Sequence, residues 1–268
     1  MLIDTHCHLD AAEFDADRAA ALQVARAGGV AGFLVPAVGA SNFDAVAALS
    51  AAHPDVAHAF GIHPMYVGQA SEPDLDILRE RLTGGGAVAV GEIGLDGFVQ
   101  DGSMPLQLRY FEAQLRLAKA FELPVVLHVR RAQDEILKLL RRIRPPGGIA
   151  HAFNGSLQQA EAFIKLGFRL GFGGAMTYTG SRRIRQLAAD LPISAIVLET
   201  DAPDIPPAWG AGQRNDPANL PRFAEVLAQL RGMPVDEVVE ATGANALAAI
   251  PELRQLAGLR PASPPESR

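Results

Sequence analysis

The chain reads as an α/β protein, a single-domain (β/α)8 TIM barrel, and three observations carry that reading. Short apolar runs alternate with helical patterns eight times along the sequence. Runs such as Val88-Ala89-Val90 and Val125-Val126-Leu127 are apolar on both faces, as strands of a parallel sheet covered by helices must be. The eight units occupy roughly 200 residues, a density that favours a closed ring over an open, doubly wound sheet.

Taken in order, the strands are expected near 2–8, 32–38, 57–62, 87–93, 124–129, 148–153, 168–173 and 195–200. The helices are expected near 15–28, 42–52, 74–83, 105–122, 132–143, 157–166 and 181–190, with two more near 217–231 and 235–248. Several carry start signals: Ser41 or Asn42 ahead of Phe43-Asp44, Ser156 ahead of Leu157, and Pro105 after Ser103-Met104. No linker-like stretch interrupts residues 1–256, which are expected to form the domain. The run 257–268, with Pro261, Pro264 and Pro265 among small and charged residues, is expected to be a disordered tail.

Composition narrows the function classes. Hydrophobic residues make up 49% of the 268, enough for one large core, yet no apolar run approaches the roughly 18 residues of a membrane span. The strand pattern starts at once, with no signal-peptide pattern, and the single cysteine excludes an intramolecular disulfide; both fit a cytoplasmic protein. A net charge of −6 argues against broad adhesion to nucleic acid or anionic lipid, while leaving room for a small positive site.

The candidate chemistry begins in Leu2-Ile3-Asp4-Thr5-His6-Cys7-His8-Leu9-Asp10. In an extended strand His6 and His8 share a face about 6.5 Å apart and Cys7 points away, so the two imidazoles can converge on one cation. Barrel strands deliver reactive groups at their C-terminal ends. There the sequence puts His6 and His8 on the first strand, Glu92 on the fourth, His128 and Arg130 on the fifth, His151 on the sixth, and Glu199 and Asp201 on the eighth. Four histidines and two carboxylates exceed the three ligands of a single catalytic zinc, and suggest two cations with Glu92 as the natural bridge. Such a pair would make the site locally positive in an acidic protein.

The ordered motifs Thr5-His6-Cys7-His8-Leu9-Asp10, Gly61-Ile62-His63-Pro64, Gly91-Glu92-Ile93-Gly94-Leu95-Asp96, Leu127-His128-Val129-Arg130, His151-Ala152-Phe153-Asn154-Gly155 and Glu199-Thr200-Asp201-Ala202-Pro203 resemble the signatures of TatD-family metal-dependent deoxyribonucleases. The resemblance runs from residue 3 to about 250, and Thr200-Asp201-Ala202-Pro203-Asp204 is most similar to the YjjV-like branch. It implies a barrel of the amidohydrolase-like type with two divalent ions (Mg2+, Zn2+ or Mn2+). His6, His8 and Asp201 would hold one ion, His128 and His151 the other, and Glu92 both. Metal-activated water would cleave a DNA phosphodiester, with Asp201 orienting the water or taking its proton. His63 and Arg130 would grip phosphate oxygens, and Glu199 would fix a ligand imidazole from behind. The pattern departs at Gly97-Phe98, Ala152 and Asp204, none of which is a proposed ligand.

Two alternatives stand beside this reading. One is amidohydrolase-type hydrolysis of a small ester, lactone or amide, including an aminoacyl ester; the presence of Glu92, where many such enzymes carry a carboxylated lysine, weakens it. The other is a non-catalytic binding or quality-control role. DNA or another phosphate ester is the expected partner, with no membrane, no obligate protein partner, and a monomer or weak oligomer. Elsewhere, Cys7 reads as a buried inert thiol, His53 as a helix-end cap, and His58 as a strand residue at the barrel's other end. Arg141, Arg142 and Arg144 read as a helix C-terminus, and Arg182, Arg183 and Arg185 as an exposed helix face. Gly171-Phe172-Gly173-Gly174 reads as a strand exit near the site, and Trp209 as either a base-stacking platform or a loop anchor.

Overall fold

The structure is a computed structural model that describes residues 1–99, 101–256 and 259; the tail expected over 257–268 lies outside the described residues apart from Leu259. Eight parallel strands form one sheet in chain order: β1 (Leu2–Asp4), β2 (Val30–Pro36), β3 (Val56–Phe60), β4 (Ala89–Asp96), β5 (Val125–Arg130), β6 (Gly148–Ala150), β7 (Phe168–Phe172) and β8 (Ile196–Leu198). Helices α1 (Arg18–Ala27), α2 (Phe43–Ala52), α3 (Glu72–Gly84), α4 (Met104–Ala120), α5 (Gln133–Ile143), α6 (Leu157–Lys165) and α7 (Arg182–Asp190) follow successive strands, and α8 (Leu220–Arg231) and α9 (Val235–Ala249) follow β8. No described helix is long and apolar enough to cross a membrane.

Strand parity sorts the core into two compartments. On β5, Val125, Leu127 and Val129 pack in the large layer between strands and helices, whereas Val126 joins Ile3, Leu34, Ile149 and Val197 in a second cluster inside the ring. Ile250, Leu253, Leu256 and Leu259 belong to that inner cluster, so the chain after α9 closes one end of the ring with apolar side chains. The same parity carries the candidate site residues, because the next inward position after Val126 is His128, after Ile149 is His151, and after Val197 is Glu199.

Several strands are shorter than the sequence suggests. β1 stops at Asp4 rather than at residue 8, β6 at Ala150 and β8 at Leu198. Beyond Asp4 the chain has no continuous ladder and is held by single bonds to alternating neighbours: Thr5 N–H to Leu198 O, Cys7 N–H to Leu34 O and His8 N–H to Ala202 O. These bonds, with Asp201 N–H to His6 O, draw β1 and β8 together at the seam of the ring. β4 runs later than expected, to Asp96, and its register against β5 shifts between Val90 and Ile93. The extra residue in that bulge is Glu92's neighbourhood, and such a shift re-aims a side chain.

Two start signals behave differently in the folded chain. Ser156 caps α6 by accepting from Gln159 N–H, as expected. Asn42 instead accepts from Val38 and Gly39 N–H and donates to Asp10, so it braces the loop after β2 rather than capping α2.

Leu34 is fully buried inside the ring, so Leu34→Ala is expected to cost about 2–5 kcal/mol of stability. Val24→Ala, on an exposed face of α1, is expected to change stability by less than about 0.5 kcal/mol. Urea unfolding midpoints at constant m-value provide the comparison.

Candidate metal centre

The mouth of the barrel is built by loops that the strands' last residues launch. At the seam, the buried Asp4 carboxylate accepts from Thr200 N–H at 2.9 Å and Thr200 Oγ1–H at 2.6 Å, tying the exit of β8 to the exit of β1. Burial pushes Asp4 up to about 7 against the lowering effect of those Thr200 bonds. The tie places Asp201 beside His6, and Asp201 takes a left-handed backbone (φ 58°) that aspartate tolerates better than most residues.

Two glutamines on α4 fix two other exits. Gln114 is fully buried, accepts from Ile62 N–H at 2.7 Å and donates to Ile62 O at 3.0 Å, which positions the neighbouring His63. Gln107, seven residues earlier and therefore on the same helix face, accepts from Asp96 N–H at 2.8 Å. On β7, a Cβ at Gly171 would sit 2.0 Å from Glu199 Oε2, so only glycine leaves room for that buried carboxylate.

Glu92 lies at the centre, 2% exposed, with its two oxygens facing different groups. Oε2 is 3.2 Å from His6 Nε2 and 3.6 Å from His8 Nε2. Those two nitrogens are 3.2 Å apart, and Asp201 Oδ1 lies 3.5 and 3.8 Å from them. Oε1 is 2.9 Å from His151 Nε2, 3.0 Å from His128 Nδ1 and 3.3 Å from His63 Nε2. The rings of His6 and His151 stack at 3.9 Å, closing the space between the two groups. Three overlapping sets could each hold an ion: His6, Glu92 and His151; His6, His8 and Asp201; and His63, Glu92 and His128.

The electrostatics follow from this packing. Burial works against ionisation of Glu92, but the imidazoles of His63, His151 and His6 hold it well below the usual carboxylate range. Burial drives His6 well below an ordinary imidazole, whereas His151 is raised, its burial outweighed by Glu92 and Asp201. His8 is likewise raised, to about 9, against its burial. Burial lifts Asp201 to about 7, with His151 and His8 pulling the other way. Imidazole nitrogens facing one another around carboxylate oxygens at such distances repel as lone pairs unless a proton or cation sits between them. The donor set, imidazole nitrogen plus carboxylate oxygen, fits Zn2+ or Mn2+ well and tolerates harder ions.

All six expected ligand residues therefore meet at one mouth. His63 stands closer than a substrate-gripping residue needs to, within reach of the same ion position as Glu92 and His128. Arg130 is half-exposed at the rim, its guanidinium 4.1 Å from the Phe98 ring centre, with Arg131 on the same ring at 4.7 Å. Glu199 Oε1 accepts from Ala152 N–H and lies 3.7 Å from His151 Nδ1, too far for a hydrogen bond. Arg182 and Arg183 are exposed, as expected, and Arg183 also donates to Asn154 Oδ1 at 2.9 Å and lines the mouth; Arg185 is half-buried and donates to Met176 O. Trp209 acts as a loop anchor, donating to Asn219 under the Arg222 guanidinium.

The mouth opens into a cavity of about 1250 Å3 whose lining includes Arg130, Arg131 and Arg183 as well as Asp10, Glu13 and Asp204. Sequence reasoning missed Asp4, Gln107 and Gln114 as organisers of the site. Their signal was present as buried polar residues in otherwise apolar stretches, at i and i+7 for the glutamines.

The chain is similar to known proteins over most of its length. The family model described as "TatD related DNase" matches residues 3–250. The Escherichia coli K12 protein named "Uncharacterized metal-dependent hydrolase YjjV" is 43% identical over 242 residues, covering 89% of this chain and 93% of that one. The human protein named "Deoxyribonuclease TATDN3" is 32% identical, covering 95% of this chain and 96% of its own. A crystal structure of the E. coli K12 TatD homologue YjjV superposes with a TM-score of 0.90 at 41% identity, covering 93% of this chain and 98% of that chain. The chain belongs to the TatD-related DNase family.

Proposed function

We propose that the protein is a metal-dependent hydrolase with a two-metal centre that cleaves phosphodiester bonds in DNA. The observation that carries this reading is the division of Glu92: one oxygen faces His6 and His8, the other His128, His151 and His63. His6, His8 and Asp201 would hold one ion and His128 and His151 the other, with Glu92 shared and His63 adjacent. Bound divalent cations supply Lewis-acid stabilisation of the charge that develops at phosphorus and make water a stronger acid.

The protein's own groups do the rest. Asp201, fixed by its backbone bond to His6 and with its Oδ1 beside the His6 and His8 nitrogens, is placed to orient an attacking water and take its proton. Arg130 reaches the substrate from the rim, and Arg131 and Arg183 extend the cationic wall along which a phosphate backbone can lie. Relatives named deoxyribonuclease support DNA as the polymer.

Purified protein free of contaminating nuclease is expected to bind two equivalents of Mn2+ or Zn2+ and to release nucleotides from DNA. Chelation is expected to abolish release. Glu92→Ala is expected to lower both metal content and kcat, the latter on the order of 10³-fold. Asp201→Asn is expected to lower kcat by about 10²–10⁴-fold. Turnover of lactones or small esters with no release from DNA would refute the nuclease assignment, and a protein that takes up no metal would refute the hydrolase.

A second expectation concerns the wall. Arg130→Ala and Arg183→Ala should each raise KM for DNA with little change in kcat. Each should also flatten the salt dependence of binding by about one unit of log–log slope. Titrating KM against NaCl for both variants and the wild type provides the check.

A further inference from the structure

His128 uses both ring nitrogens, and the second contact decides what the first can be. Nδ1 lies 3.0 Å from Glu92 Oε1, and Nε2 lies 3.1 Å from Asp96 Oδ2. Asp96 is fully buried and has little freedom to turn. Its Oδ1 accepts from Phe98 N–H at 2.8 Å and Val99 N–H at 3.3 Å, and its own N–H is held by Gln107. Its strand partner across the ladder is Arg130, whose guanidinium lies 3.7 Å from the same Oδ2. Oδ2 is therefore left facing His128 and Arg130.

An ionised carboxylate only accepts hydrogen bonds. With Oδ1 already accepting two backbone N–H groups and Arg130 beside Oδ2, the Asp96 carboxylate is arranged as an acceptor toward His128. Where Nδ1 and Glu92 face an ion, as the two-metal reading has it, the proton of the neutral ring sits on Nε2 toward Asp96 and Nδ1 is the electron-donating nitrogen. His151 is arranged the other way: it offers Nε2 to the same Glu92 oxygen, and its Nδ1 has no hydrogen-bond partner. Two imidazoles thus meet one carboxylate oxygen through different nitrogens, and only His128 has a carboxylate that enforces the choice.

We propose that Asp96 is a positioning residue that selects Nδ1 of His128 as the metal-donating atom and ties that ligand to the substrate-facing Arg130. This rests on the two-metal reading above. Without Asp96, the ring can turn over or change tautomer, and the ion position next to His63 loses a pre-oriented donor. Carboxylates behind ligand imidazoles raise the ring's basicity as well as orienting it.

The test needs no variant for its first arm. In Zn2+-loaded wild-type protein labelled with 15N-histidine, His128 is expected to carry its proton on Nε2 and to show a metal-shifted Nδ1. A proton on Nδ1 would overturn the proposal. In the second arm, Asp96→Asn and Asp96→Ala, checked for folding by circular dichroism, are dialysed against Mn2+. One of two equivalents should weaken by about 10–100-fold while the other holds. Wild-type affinity for both equivalents in a folded variant would overturn the proposal. His128→Ala separates the two levels of argument: losing one equivalent is expected, retaining both would overturn His128 as a ligand and the Asp96 proposal with it, and wild-type protein that takes up fewer than two equivalents would overturn the two-metal reading itself.

Discussion

A single carboxylate, almost completely removed from water, has to be stabilised by its surroundings, and the fold is arranged to do so. Glu92 would be costly to bury as an anion without compensation. Five imidazoles approach it within 3.6 Å, from the exits of four different strands. No local segment could supply that surround, since side chains at one strand's end cannot encircle a point. A closed ring can, because every strand exit faces the same axis.

That requirement explains several features that look incidental. The register shift in β4 lets Glu92 turn to the axis while Ile93 and Leu95 still pack outward with the helices. The seam between β1 and β8 is closed by side-chain and loop bonds rather than a ladder, and the same bonds set His6 against Asp201. The glutamines on α4 place polar anchors within a helix face that otherwise packs apolar, so the exits of β3 and β4 are fixed from outside the ring. The acidic chain still presents cations at the mouth, because Arg130, Arg131 and Arg183 all line it. Net charge describes the far field; over about 8 Å the local arrangement governs.

Much of this was legible from sequence, for a definite reason. Period-2 parity in runs such as Val125-Val126-Leu127 indicates which residues face inward, and the next inward position is the one that reaches the mouth. His128, His151 and Glu199 follow from that counting alone. The limits of β1, β6 and β8 were not legible, because a ladder ends where its partner ends, and the partner is distant in the chain. Nor did the sequence reveal that Arg183 turns towards Asn154, or that His63 stands among the ligand candidates, since both depend on where loops from separate units come to rest. The resemblance to a known family supplied the grouping of ligands; the distances around Glu92 came only with the fold.

Cys7 sits in sequence between two residues of the mouth yet belongs to the opposite layer. Its thiol is wholly enclosed, points at Leu34 O, and is held in the protonated form by burial first and by Asp4 and Asp10 second. A sulfur so placed competes for no cation and offers oxidants no thiolate. Laboratory handling gains from this: Cys7 gives no reason to add reducing thiols, which themselves bind zinc and would disturb a count of bound ions.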